Sequence, residues 1–390
     1  VAGTAQLELG LRGGADGLQL VGPSADADYI AARPPELRVP DTGASAGFLL
    51  DHSLQAAAGF RLHPNAAALA ELYHGRQLAI VHAAGIRDGT RSHFVAQDLI
   101  ERGLTDEKRI TTTPTGWLGR TLTERPEAIP GFSATGMPVA ALRGVNRAFS
   151  SPDLASGLGV PWGSQTTNLL RTLSMTGNSA AHRASLVTLD LLDTVEQRIA
   201  KDASGKWLPY TPAGKARYDT VGDLARPLTA LARLARMDVG LRVACVEHGG
   251  WDTHEGQSGR LANQVRQLSA GLAAFHEDMS AAGHPTIIVV MTEFGRRLRA
   301  NKSGGTDHGH GACWLLLGPT VRGGRMYGEW PGLSTPALDQ GVDLAVTTDY
   351  RQILTEALRA TQLLASRASP ASESALFPGW QAGKPLGLFI

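Results

Sequence analysis

This sequence has no excess of charge of either sign. Its 37 lysines and arginines nearly balance 36 aspartates and glutamates, for a net charge of +1. That balance supplies no field to hold nucleic acid or an anionic membrane. No run of about eighteen apolar residues occurs, so no helix is expected to span a bilayer. Cysteine is nearly absent: Cys245 and Cys313 are the only two. Two cysteines cannot make a disulfide scaffold. Both stand in apolar runs, Arg-Val-Ala-Cys-Val and Ala-Cys-Trp-Leu-Leu, and read as buried free thiols. Several signatures are also missing: a Gly-rich phosphate loop ending in Lys-Ser/Thr, a dinucleotide fingerprint after a strand, and a Gly-x-Ser-x-Gly elbow. No basic n-region with an apolar h-region opens the chain, so either no signal peptide is present or Val1 begins a processed mature chain.

With 43% hydrophobic and 19% charged residues, a soluble globular protein is expected. A length of 390 residues suits a large α/β domain with insertions. A strand is predicted over 5–11, ending in the tight turn Gly13-Gly14-Ala-Asp-Gly17. A helix follows over 64–75, then the apolar run 77–84, whose length suits a strand covered on both faces. Ser92 is a good N-cap for a helix to Arg102, stopped by Gly103. Residues 105–165, rich in Thr, Pro, Gly and Ser, read as irregular, with a short strand at Met137–Leu142. Helical spacing marks 183–201, 213–236 and 257–282, and a last helix from Thr348-Asp349 to about Leu364. Further strands are predicted at 241–246, 285–291 and 312–318. Strands alternating with helices imply an α/β fold, with a mostly parallel sheet and helices on both faces. Ligands of such sheets sit outside the carboxyl ends of the strands.

Chemistry concentrates in a few turns. Gly305-Thr-Asp-His-Gly-His-Gly-Ala312 brings Asp307, His308 and His310 within four residues. Oxygen and imidazole donors together suit a divalent transition ion such as zinc, manganese or iron, with calcium left open. Asp252-Thr-His254 is a second such pair, or else an Asx-turn beside a surface histidine. Glu293 follows an apolar run, as a further ligand or a partner of Arg296 or Arg297. Asp16, Ser92, Asp252 and Glu293 all fall just after predicted strands and are able to converge on one edge. Ser92 is either a nucleophile activated by a metal or a plain N-cap. Arg91 or Arg296 would hold a non-bridging ester oxygen. His93 and Trp251 are candidate substrate contacts, Trp251 as the floor of a sugar site unless it only packs. His63 and His82 read as structural.

The segments Leu11-Arg-Gly-Gly-Ala-Asp-Gly-Leu18, Arg91-Ser-His-Phe94 with Gln97-Asp98, Gly250-Trp-Asp-Thr-His254, Thr292-Glu-Phe-Gly-Arg296 and Gly305-Thr-Asp-His-Gly-His310 resemble the family called domain of unknown function 1501. That family is placed in the alkaline phosphatase-like superfamily, with sulfatases and cofactor-independent phosphoglycerate mutases. The resemblance implies a single three-layer domain over 1–390, with an insertion at about 105–238. It also implies a metal Asp at Asp16, a hydroxyl nucleophile at Ser92, an Asp…His pair at Asp252 and His254, and a late His at His308 or His310. The Asp-His pair of the superfamily is missing after the 285–291 strand, where Glu293 stands instead. The formylglycine signature Cys-x-Pro-x-Arg is missing too, since Cys245 precedes Val-Glu-His and Cys313 precedes Trp-Leu-Leu. Many members carry a twin-arginine export signal, which implies a periplasmic or secreted mature chain. The implied function is metal-dependent hydrolysis or transfer at a phosphate or sulfate ester of a small molecule or glycan, with one or two ions and no formylglycine. An exported binding protein with a structural metal is the alternative.

Overall fold

The computed structural model describes residues 4–87, 89–123, 125–155, 158, 160–365 and 369–390. Its strands are β1 Ala5–Leu11, β2 Val21–Pro23, β3 Phe48–Leu49, β4 Phe60–Leu62, β5 Leu78–Gly85, β6 Gly131–Ser133, β7 Ala148–Ser150, β8 Val243–His248, β9 Thr286–Thr292, β10 Ala312–Leu317, β11 Arg325–Tyr327 and β12 Thr348–Asp349. Nine of them form one sheet in the order β11-β5-β10-β9-β1-β8-β6-β7, with β12 also on β5. The central strand β1 runs parallel to β8 and β9, and Leu9 lies between Val246 and Val290. β10 alone runs against both of its neighbours, β5 and β9.

Alternation along the strands builds two cores. Leu7, Leu9, Leu11, Val246 and Val290 share one face, while Val243, Cys245, Ile287 and Val289 share the other. The helices Ala67–His74, Ala225–Ala235 and Gln257–Ala281 pack on the first face. The helices His93–Arg102, Trp117–Thr121 and Tyr350–Ala360 pack on the second. The result is an α/β architecture of three layers with a mostly parallel sheet between helices. No helix among the described residues is long and apolar enough to cross a membrane.

The region 105–238 differs from its expected form in three ways. The short strand is Gly131–Ser133 rather than Met137–Leu142, where Ala140–Leu142 is a 3-10 turn. Pro138 has no N–H to give a ladder, whereas Gly131–Ser133 pairs with Val243–Cys245. The helix expected over 213–236 begins only at Ala225, because Gly222 has φ +80 and starts a 3-10 turn. A helix at Ser164–Met175 was not expected at all. The last helix also stops short, at Ala360 rather than near Leu364.

Cys245 lies in β8 and Cys313 in β10, both buried and free. Burial pushes both thiols above their ordinary pKa, so the reactive thiolate is suppressed. A thiol reagent at about pH 8 is expected to label neither cysteine in the native protein and both after unfolding. Rapid labelling of the native chain at either position would contradict this packing.

Candidate metal centre

The sheet directs several loops to one edge. The carboxyl ends of β1, β5, β8 and β9 all lie there, since these strands point the same way. Because β10 runs opposite, its entry lies at that edge as well. This is how residues before β10 meet residues after the other strands. Between β9 and β10 the chain forms a narrow hairpin: Gly295 N–H donates to the His310 carbonyl and Gly309 N–H to the Gly295 carbonyl, each at 2.9 Å. A Cβ on Gly295 would meet the Gly311 carbonyl at 1.9 Å, and one on Gly309 would meet the Arg296 backbone at 2.6 Å. The glycines between and beside the histidines thus permit a close approach of two backbones.

Four side chains face one another at this edge. Ligand atoms of His93, Asp252 and His308 all lie within 4.8 Å of one another. Nε2 of His254 is 2.9 Å from Nε2 of His308 and 3.0 Å from Oδ1 of Asp252. Nε2 of His308 is 3.2 Å from the same oxygen, and Nε2 of His93 is 3.6 Å from Oδ2. The opposite nitrogen of each ring is already engaged. His93 Nδ1 meets Glu293 Oε1 at 2.7 Å, His254 Nδ1 meets Asp307 Oδ1 at 3.1 Å, and His308 Nδ1 meets the Arg91 carbonyl at 2.9 Å. All three partners are pure acceptors, so an Nδ1–H tautomer satisfies each of them and would turn the Nε2 lone pairs inward. Such outer acceptors are what metal-binding imidazoles use to fix tautomer and orientation. Two lone pairs 2.9 Å apart repel unless a proton or a cation lies between them. His93 Nε2 is buried with no hydrogen-bond partner. The donor set therefore fits a divalent ion of the zinc or manganese type.

The supporting groups are strongly polarised. Burial works against the charge of Glu293, but bonds from His93, Gln97 and the Gly13 N–H outweigh it and bring its carboxyl down to about 2. Asp252 is likewise brought down to about 2, burial being overcome by Arg296 and His308. The Asn301 amide, 3.1 Å from Asp307, lowers the pKa of that carboxyl. The bond to Glu293 raises the pKa of His93, whereas burial lowers that of His308. Phe294 closes the inner side, its ring centroid 4.8 Å from that of His93 and 4.9 Å from that of His308. The outer side is open, with the side chains of Asp252 and His254 exposed to 48% and 42%.

Other expected site residues have different work. Asp16 is fully buried and saturated: it caps the Gly17–Leu20 turn, takes Arg33 at 2.7 and 3.1 Å, and accepts from Gln257 at 2.6 Å. It has no oxygen left for a metal. Glu293 accepts from Gly13, His93, Gln97 and Thr292, and so supports His93 rather than joining it. Asp307 supports His254 in the same way. His310 points away from the centre toward Asp339 and Asp343, with which it makes a second ligand-type group. The Arg91 guanidinium is held by Asp343. Arg296 is buried on the carbonyls of Gly13, Gly14, Trp251 and Thr306 and on Asp252, so it is not free for an ester oxygen, whereas the Arg91 side chain stays 28% exposed. Trp251 is only 1% exposed and packs edge-on to His248, so it floors no sugar site. Ser92 is exposed at the start of its helix, and its hydroxyl makes no capping bond. His93, expected at substrate, stands among the ligand-type groups. A histidine one residue inside a helix that starts at the carboxyl edge was the available signal for it.

The histidine–carboxylate cluster thus lies at the carboxyl edge of a mostly parallel sheet. Residues 215–365 match the family model described as protein of unknown function (DUF1501), a stretch that holds Asp252, His254, Glu293, His308 and His310. The Asp16 and Ser92 motifs lie outside it. No curated protein matches the sequence. Among solved structures, the C-terminal periplasmic domain of EcEptC from Escherichia coli in complex with Zn is similar at 9% identity, over 81% of this chain and 73% of that one, with a TM-score of 0.35. BT1596, a 2-O GAG sulfatase, is similar at 12% identity, over 98% and 76% of the two chains, with a TM-score of 0.37. An alkaline phosphatase superfamily protein from Vibrio parahaemolyticus is similar at 13% identity, over 83% and 62%, with a TM-score of 0.33. Likenesses at this level say nothing about the chemistry of this chain.

The Asp16–Arg33 pair gives a sharp contrast with the centre. Asp16→Asn leaves the Arg33 guanidinium buried without its counter-charge and is expected to cost about 3–5 kcal/mol in denaturant unfolding. A variant as stable as the parent would return Asp16 to the candidate ligands.

Proposed function

We propose that this protein is a metal-dependent hydrolase or transferase acting on a phosphate or sulfate ester, working without formylglycine. One observation supports this most: three imidazoles whose Nδ1 atoms all meet outer acceptors turn their Nε2 atoms toward Asp252. His93, Asp252, His254 and His308 would hold the ion. Such an ion, when bound, supplies Lewis acidity toward an ester oxygen and lowers the pKa of the attacking hydroxyl or water. Glu293, Asp307 and the Arg91 carbonyl keep the three rings in one tautomer. Arg296 keeps Asp252 ionised and in place. Phe294 excludes water from the inner side. Ser92 stands in sequence between Arg91, whose carbonyl steadies His308, and His93. Its exposed hydroxyl is therefore the candidate nucleophile. With Arg296 committed, the N–H groups of the first turn of His93–Arg102, beside Arg91, are the candidate donors for a non-bridging oxygen. The resemblance to exported families makes a periplasmic or secreted location part of this proposal, with a small-molecule or glycan ester as substrate.

One observation favours the alternative, a binding protein with a structural metal. Four protein side chains suffice to close a tetrahedral shell. The exposure of Asp252 and His254 favours the enzyme, because a face open to solvent leaves room for a substrate.

Elemental analysis of the purified chain is expected to find zinc, manganese or iron. His254→Ala and Asp252→Asn are expected to lose it, together with the thermal shift that added metal gives the parent. Metal-free protein that gains no stability from zinc or manganese would sink the reading. On any phosphate or sulfate ester found active, Ser92→Ala separates the two attack routes. A nucleophilic Ser92 predicts a fall of several orders of magnitude at constant metal content; parent-like turnover would favour water. Stability is expected to stay near the parent's in either case, since the hydroxyl caps nothing.

A further inference from the structure

We propose that Asp343 is a positioning residue of this centre, acting on His308 through Arg91. The inference rests on the metal reading above. His308 Nδ1 donates to the Arg91 carbonyl at 2.9 Å, so the direction of that carbonyl sets the direction of the ring. The carbonyl belongs to the segment between β5 and the helix His93–Arg102, where the next N–H, that of Ser92, donates to Thr90 Oγ1 at 3.1 Å. What anchors it is the Arg91 side chain. Its Nε donates to Asp343 Oδ2 at 2.8 Å, and its Nη2 reaches the same oxygen.

Asp343 is a firm anchor. Its side chain is fully buried, while that of Arg91 is 28% exposed. Asp339 and Asp343 exchange backbone bonds, N–H to carbonyl at 2.9 and 3.1 Å. Leu298 N–H donates to the Val342 carbonyl at 3.1 Å, which ties this turn to the hairpin carrying His308. The tether thus leaves the hairpin at Leu298, passes through the turn holding Asp343 to Arg91, and returns to the hairpin at His308. Without the carboxylate charge, the guanidinium is free to swing into solvent. The carbonyl then loses its fixed direction, and the His308 ring can turn or change tautomer.

The other groups facing Asp343 agree with this role. His310 Nδ1 is 3.8 Å away and Arg297 Nε is 3.9 Å from Oδ1. Arg91 and Arg297 already supply positive charge to Asp343. A second ion at His310, Asp339 and Asp343 would have to compete with both, so the charge balance favours an anchor over a second metal site.

The test measures zinc affinity of the full chain by competition with a chromophoric chelator, and the visible spectrum of the cobalt(II) form. Asp343→Asn and Arg91→Met are each expected to weaken zinc binding roughly 10–100-fold and to change the cobalt bands. Arg91→Lys, which keeps the charge, should recover part of the loss. Asp278→Asn is the structural comparator: Asp278 is a buried carboxylate bonded to Tyr210 and Tyr218, remote from the centre in its contacts. It should lower the melting temperature and leave affinity and spectrum unchanged. Folded Asp343→Asn and Arg91→Met proteins with parental affinity and spectrum would overturn the proposal. Should Asp343→Asn fail to fold, Arg91→Met decides alone. A parent chain that binds neither zinc nor cobalt would overturn the metal reading itself, a result distinct from unchanged variants.

Discussion

The buried guanidinium of Arg296 holds together three segments of the sheet edge. It donates to carbonyls of Gly13 and Gly14 after β1, of Trp251 after β8 and of Thr306 in the hairpin before β10. It also bonds Asp252 at 2.5 Å. Loop carbonyls at a sheet edge need donors once water is excluded. A planar group with five N–H bonds can serve several loops at once, which an ammonium cannot match in geometry. Asp252 returns the compensation, since its negative charge makes the burial of Arg296 tolerable. The position of Asp252 at the candidate centre therefore follows from how the loops are satisfied.

The histidines depend on the same economy of donors and acceptors. Each ring meets an outer acceptor through Nδ1, and each acceptor is itself held: Glu293 by Gly13 and Gln97, Asp307 by Asn301, the Arg91 carbonyl through the Arg91–Asp343 pair. The carboxylates of this edge thus split into two kinds. Asp252 faces inward with open space beside it. Glu293 and Asp16 are saturated by neighbours, and Asp307, whose Oδ1 takes His254 and Asn301, serves with them as a support.

That split is where sequence reasoning runs short. Apolar runs at 77–84, 241–246 and 285–291 correctly mark three sheet strands, and the glycine-rich turns that follow mark the functional edge. Asp252, His254 and His308 are legible as ligand-type residues from local clustering alone. Whether a carboxylate is free is a different matter, because its partners are remote in the chain. Arg33 and Gln257 saturate Asp16, and His93 engages Glu293 across the whole insertion. The direction of β10 is also invisible, since Ala-Cys-Trp-Leu-Leu-Leu reads the same in either sense. Residues 131–133 escape notice because three residues make no pattern. Their strand exists through pairing with β8.

The hairpin between β9 and β10 has a further consequence for how such a protein can change. It leaves and re-enters the sheet at the same edge, between neighbouring strands, so its tip carries no threading constraint. Lys302, Ser303 and Gly304 at that tip are exposed. Extra residues there would lengthen a solvent loop at small entropic cost. The stem is the opposite, since Gly295, Gly309 and Gly311 leave no room for even a methyl group. Drift in what the edge recognises is thereby channelled to the tip, while the segment that aims His308 stays frozen. The hairpin is a graft site whose rootstock cannot vary.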